Sequence, residues 1–164
     1  AIDDLPINTY FDLIYLDPFS PNKCPQLWSE EFLKSLSIKL AHGGRILTYC
    51  RAAAIRASLR RAGLQLKSLS ADPNDKISWS NGTMAILPES SQPLEQEGLT
   101  WKLLSNKEEE HLLTRASIPY RDPDGKSSSI EILNRRKLEQ AQSTLEPTSS
   151  GQKRWVKVQT NSSH

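Results

Sequence analysis

The chain has 164 residues, of which 37% are hydrophobic and 24% charged, with a formal net charge of +2. This length suits one ordinary domain with a real core. The low apolar share points to an ordered domain plus a polar, loosely packed segment. The charge balance carries no nucleic-acid signature by itself, no apolar run of about 18 residues is available to span a membrane, and the N-terminus has no secretory pattern. Cys24 and Cys50 lack metal-type spacing and read as reduced thiols of a cytoplasmic protein.

Residues 1–10 read as a helix end and a turn. Phe11 to Leu16 is almost continuously apolar, interrupted only by Asp12. Such a run suits a strand covered by helices on both faces. Asp17-Pro18 ends it, because proline cannot donate to a ladder, and Pro21 and Pro25 stiffen the following turn. A helix follows, with Ser29 as N-cap and Glu30 and Glu31 in its first turn. Trp28, Phe32, Leu33, Leu36 and Leu40 form its apolar stripe. It is expected to reach His42 and to exit at Gly43-Gly44.

Arg45 to Cys50 is the second strand. A second helix runs from about Ala52 to Ala62 and ends at Gly63, with Ile55, Leu59 and Ala62 inward and Arg56, Arg60 and Arg61 outward. Leu64 to Leu69 alternates with period two, as a half-buried strand does. Asp72 to Asp75 is a loop, and Thr83 to Leu87 is a last strand stopped by Pro88. The order strand, helix, strand, helix, strand, strand is that of the C-terminal half of a doubly wound α/β sheet.

The domain plan is therefore 1–89 as a partial Rossmann-like α/β domain, 90–105 as a linker, 106–142 as a helical extension and 143–164 as a disordered tail. In the extension, Asn106 to Arg115 reads as a helix capped by Asn106. Ser128 and Glu131 fit a capping box opening a helix to about Gln142, with Ile132, Leu133 and Leu138 as its apolar face. No internal repeat is present.

Asp17 carries the chemistry that residue types alone suggest. It ends a strand at the edge where open α/β sheets bind ligands. A carboxylate there accepts hydrogen bonds from an amine, and the flanking prolines hold its loop in one geometry. The plain alternative is a strand-ending Asp-Pro turn. Arg51, Arg56, Arg60 and Arg61 suit phosphate contacts or a solvated helix face, as do Arg135-Arg136-Lys137 and the Lys153 to Lys157 group around Trp155. No Cys/His cluster supports a metal, and no serine or cysteine triad can be built.

The stretch from Phe11 through Asp17-Pro18-Phe19-Ser20-Pro21 to Trp28, followed by Gly43-Gly44-Arg45-Ile46-Leu47-Thr48-Tyr49 and by Arg60-Arg61-Ala62-Gly63, resembles the MnmC-like methyltransferase domain. That family's pattern is fDxxfLDxFsPxkNPxlW, then a helix, then GGxlxTy. The resemblance covers roughly residues 5 to 87. It departs at Cys24, where the family often has Asn. Ile118-Pro119-Tyr120-Arg121-Asp122-Pro123 is similar to the extension of cyanobacterial relatives.

The resemblance implies the C-terminal half of a class I (Rossmann-like) methyltransferase sheet followed by a helical, partly disordered tail. It implies S-adenosylmethionine as methyl donor and the aminomethyl group of a tRNA wobble uridine as acceptor. Asp17 is then the catalytic residue, orienting the amine and steering its proton. Pro18, Phe19, Ser20, Pro21, Thr48 and Tyr49 line the crevice. Some family members carry a fused flavin-dependent oxidoreductase, whose glycine fingerprint is absent from this chain. The glycine-rich cofactor loop and the ribose-binding acid are also missing, so the chain is expected to start after the cofactor half and to bind the donor weakly or not at all alone. A noncatalytic remnant or binding module of the same fold is the alternative.

Overall fold

A computed structural model describes residues 5–69, 81–88 and 101–151. Its elements are β1 (Phe11–Tyr15), α1 (Glu30–Ile38), β2 (Leu40–Thr48), α2 (Ala53–Arg61), β3 (Gln65–Leu69), β4 (Gly82–Ile86), β5 (Trp101–Leu103), α3 (Asn106–His111) and α4 (Ser129–Gln142). Short 3-10 turns occur at Pro25–Trp28 and Arg115–Ser117. The loop at Asp72 to Asp75, the polar stretch 89–100 and the basic group at Lys153 to Lys157 lie outside the described residues.

The strands form one five-stranded sheet in the order β1-β2-β4-β3-β5. β1 and β2 run parallel, with Ile14 opposite Ile46 and Tyr15 opposite Leu47. A parallel pair needs a crossover, which α1 and the turn before it supply. β4 lies antiparallel to both β2 and β3, and β5 is antiparallel to β3. The mixed α/β architecture expected from the sequence is present, with its one parallel pair at one end of the sheet.

α1 begins where the sequence signals it. The Ser29 hydroxyl accepts from Phe32 N–H at 3.2 Å, and Glu30 and Glu31 occupy the first turn. The helix stops at Ile38, earlier than expected, and Gly43-Gly44 belongs to β2. The reason is a bulge. Phe11 pairs with Leu40, but Leu13 already pairs with Arg45. Gly43 has φ +75. A Cβ on Gly44 would lie 2.7 Å from the Ala41 carbonyl oxygen and 2.8 Å from that of Phe11. These glycines let β1 and β2 close on each other; they do not end a helix.

Trp28, Leu33, Ile46, Ile55, Leu59 and Ala85 form the core with Tyr120 and Ile132 from the C-terminal part. Each such large apolar side chain contributes about 1.5–3 kcal/mol of burial free energy. The extension is thus packed into the same core as the sheet.

Four expectations fail here. β1 is not covered on both faces: among the described residues it pairs only with β2, and Phe11, Leu13 and Tyr15 are 37%, 41% and 73% exposed. α3 is capped by Ser105 and not by Asn106, because Ser105 and Glu108 close a capping box. On α4, Leu138 is 64% exposed while Ile132 is fully buried. The tail is not disordered from Ser143: Arg115 N–H donates to the Glu146 carbonyl at 2.9 Å and Thr114 bridges Glu146, which anchors the segment approaching Gly151. β5, only Trp101–Leu103, was too short for a periodic signal.

Candidate active site

The two parallel strands end side by side, and the loops that leave them build the site. Leu16 N–H donates to the Leu47 carbonyl at 2.8 Å, so the β1–β2 ladder persists to the residue before Asp17. Asp17 then leaves the sheet and is exposed. The three carbonyls after it are each tied down. That of Pro18 accepts from the Tyr49 hydroxyl at 2.7 Å. That of Phe19 accepts from the Trp28 indole N–H at 2.7 Å. That of Ser20 accepts from the N–H groups of Lys23 and Cys24 at 2.8 and 3.0 Å.

Because the backbone acceptors are consumed internally, the loop presents side chains outward. Phe19 is 75% and Tyr49 is 51% exposed. Ser20 is exposed, and Pro18 and Pro21 are half-buried. The Tyr49–Pro18 bond joins the two loops, which brings Asp17, Pro18, Phe19 and Tyr49 to one sheet end. An exposed carboxylate with flanking aromatic faces can accept from an amine and stack on a planar ring.

Thr48 does not reach this surface. It is buried, and its hydroxyl oxygen accepts from Cys50 N–H at 3.0 Å, fixing the exit of β2. Burial also pushes the nearby Cys50 thiol up from its ordinary value. Among the described residues there is no group of three or more His, Cys, Asp or Glu fit to hold a metal. No described helix is long and apolar enough to cross a membrane.

The arginines divide sharply. Arg56, expected on the outer face of α2, is 1% exposed. Its guanidinium donates to Glu108 at 2.8 Å, to the Thr83 hydroxyl at 2.8 Å and to the Gly82 carbonyl at 3.1 Å. It is enclosed and unavailable to a phosphate. The sequence held a signal for this, since Ala52, Ile55, Arg56 and Leu59 share one helical stripe. Arg60 pairs with Glu109 at 2.7 Å, and Arg61 pairs with Glu30. Arg51 is exposed just before α2.

The described residues do not fit S-adenosylmethionine by themselves. A cofactor cradle needs glycines that bring backbone close to the ligand. Here Gly44 faces strand backbone, a Cβ on Gly82 would lie 2.6 Å from the Thr48 carbonyl oxygen, and Gly63 and Gly125 take positive φ in turns. Each serves packing or chain reversal.

Sequence reasoning did not find the residues that brace the loop. These are Trp28, Asn22 and the Tyr120-Arg121-Asp122 run, brought together across about half the chain. The Tyr120 hydroxyl donates to the Asn22 side-chain oxygen at 3.3 Å, and Glu30 N–H donates to the Tyr120 carbonyl at 2.9 Å. Burial raises the Tyr120 hydroxyl above its ordinary value, against the opposing pull of Arg136. Only the indole of Trp28 after a proline-rich loop hinted at such a role.

Residues 1–73 match the profile of a family described as S-adenosyl-L-methionine-dependent methyltransferase. The chain is 46% identical over 57 residues to the tRNA 5-methylaminomethyl-2-thiouridine biosynthesis bifunctional protein MnmC of Ralstonia nicotianae, a match spanning 34% of this chain and 8% of that protein. It is 36% identical over 62 residues to the MnmC protein of Delftia acidovorans, spanning 38% of this chain and 10% of the relative. Its fold is similar to that of MNMC2 from Aquifex aeolicus, with a TM-score of 0.70 and 24% identity, covering 87% of this chain and 42% of the solved one. The chain thus spans less than half of the solved relative, and the sequence matches span about a tenth of the curated ones. Over residues 1–73 the sequence is thus similar to S-adenosyl-L-methionine-dependent methyltransferases and to MnmC proteins, and most of the chain shares its fold with MNMC2.

Proposed function

We propose that the protein of which this chain is part transfers a methyl group from S-adenosylmethionine to the aminomethyl nitrogen of a tRNA wobble uridine. The observation that carries the reading is the Asp17 loop: an exposed acid beside Phe19 and Tyr49, on a backbone fixed by hydrogen bonds at Pro18, Phe19 and Ser20. It stands within the stretch that matches the methyltransferase family.

The chain's own residues act on the acceptor side. Methylation needs the amine uncharged, with its lone pair free. Asp17 accepts an N–H from that amine, orients it and would take the proton that the nitrogen gives up in exchange for the methyl group; the donor, when bound, would supply that methyl from its sulfonium and leave as the neutral thioether. Phe19 and Tyr49 offer faces for the uracil ring. The ties on the loop carbonyls remove the cost of ordering it when substrate arrives. Arg51 lies at the mouth of the same sheet end and suits a tRNA phosphate. The description of the relatives as bifunctional favours a second reading for the whole protein, in which an oxidoreductase acting on a CH–NH bond accompanies the transferase.

The test is methyl transfer from labelled donor to undermodified tRNA by the whole protein. Asp17→Ala should lower the rate by about 100-fold or more. Full activity in that variant rejects the site. No transfer by the whole wild-type protein favours the alternative, a noncatalytic binding module of the same fold. Tight donor binding by the 164-residue chain itself would reject the view that these residues act on the acceptor side alone.

A further inference from the structure

The C-terminal extension lies beyond the residues that match the methyltransferase family, yet it touches the turn that follows the Asp17 loop at many points. Ser29 bridges Tyr120, and Glu30 N–H donates to the Tyr120 carbonyl at 2.9 Å. The Arg121 guanidinium donates to Glu30 at 2.6 Å and to Glu139 of α4 at 2.9 Å. Asp122 N–H donates to the Glu31 carboxylate at 2.8 Å. Gln26 meets Ser129 at 3.1 Å, at the start of α4.

The extension is itself locked behind these contacts. Asp122 is 4% exposed, and its carboxylate accepts from the N–H groups of Lys126 and Ser127 at 3.1 and 3.0 Å. Arg136 of α4 stacks over the Tyr120 ring at 4.5 Å and donates to the carbonyls of Ile118 and Ala116 at 2.8 and 3.1 Å. Tyr120 and Trp28 belong to the same core, Ser29, the residue after Trp28, bridges Tyr120, and Trp28 holds the Phe19 carbonyl. Contacts therefore run from Arg136 through Tyr120 to Asn22 and to Ser29, the neighbour of Trp28, whose indole holds Phe19.

We propose that the Tyr120-Arg121-Asp122 segment, backed by α4, is a built-in brace that sets the conformation of the Asp17 loop, with Tyr120 as its positioning residue. The consequence for acceptor chemistry rests on the reading of Asp17 given above; the brace itself does not. Asp17 and Phe19 sit on a proline-rich loop with no regular structure of its own to select one arrangement, and Tyr49 meets it from the exit of β2. Selection comes from the indole, the Asn22 side chain and the turn beneath them; the extension bonds Asn22 and the turn from Gln26 to Glu31 directly.

The experiment is amide and indole hydrogen exchange followed by NMR on the full chain and on its Tyr120→Phe and Arg136→Ala variants. Tyr120→Phe removes only the hydroxyl that meets Asn22 and keeps the ring in the core. Arg136→Ala releases the ring from behind without touching the loop. In both, the Lys23 and Cys24 amides and the Trp28 indole N–H should exchange about fivefold faster, the effect of losing one hydrogen bond. The Ile46 and Ala85 amides, in the β2–β4 ladder, should be unchanged. Unchanged exchange at the loop overturns the proposal. So does acceleration at the loop and the ladder alike, which would show general loosening and no positioning. The readout needs no substrate, so its failure is distinct from failure of the transferase reading, which the Asp17 variant decides.

Discussion

The extension meets the sheet domain along two seams built from the same residue types, and they work differently. Where α3 meets α2 and β4, Arg56 and Glu108 pair with side chains only 2% and 3% exposed. Where the Tyr120 segment and α4 meet α1, Arg121 pairs with Glu30 and Glu139 while 39% exposed. A buried pair loses its hydration and depends on complete partnering; a half-exposed one is screened and easily replaced by water. The first seam therefore contributes, beside the core packing of Tyr120 and Ile132, to holding the extension in place. The second governs where the loop beside it sits.

The largest effect tests the buried seam. Glu108→Ala takes its carboxylate away from the buried Arg56 guanidinium, which keeps its bonds to Thr83 and Gly82, and also opens the capping box of α3, so we expect a loss of about 3–5 kcal/mol in urea unfolding. Replacing both partners with apolar residues, Arg56→Met with Glu108→Leu, should cost much less. If the single and double variants lose the same stability, the seam is held by something other than this pair.

An intermediate effect belongs to His111, at the end of α3. Burial, assisted by the Arg56 charge, holds its pKa below the ordinary value of 6.5. The unfolded chain then binds more protons than the folded one just below that value. The His111 contribution is fully present above pH 6.5 and is lost as pH falls through the lower folded value. Melting temperature should drop on mild acidification, and His111→Gln should flatten that part of the profile. The smallest effect is at the other seam: Arg121→Ala should change unfolding free energy by about 0–1 kcal/mol. A loss as large as that of Glu108→Ala would erase the distinction between the seams.

What was legible in the sequence was local. Ser29 and the Ser128–Glu131 box cap helices through bonds spanning three residues, so the pattern and the geometry are the same fact. The Asp17-Pro18 strand ending was legible for the same reason. What was not legible depended on distant partners. Arg56 finds Glu108 52 positions away, and Gln26 finds Ser129 103 positions away. No local pattern reports such pairs. The apolar face expected on α4 held at Ile132 and Leu133, which pack in or against the core, and failed at Leu138; the rest of the docking is through Arg135, Arg136 and Glu139. Glycine pairs are ambiguous in the same way. Gly43-Gly44 suits a helix exit as well as a bulge, and only the pairing with β1 decides.

β1 has a consequence outside folding and chemistry, in how copies of this chain behave toward one another. Its five residues carry apolar groups on both faces, Phe11, Leu13 and Tyr15 are exposed, and Ile7 and Tyr10 beside it are 88% and 58% exposed. A strand that, among the described residues, is paired on one side only is a template for another strand, and Asp12 is the one charge within it. With a net charge of only +2, little long-range repulsion keeps molecules apart. The isolated chain is therefore expected to associate as its concentration rises, and Tyr15→Lys to reduce that association.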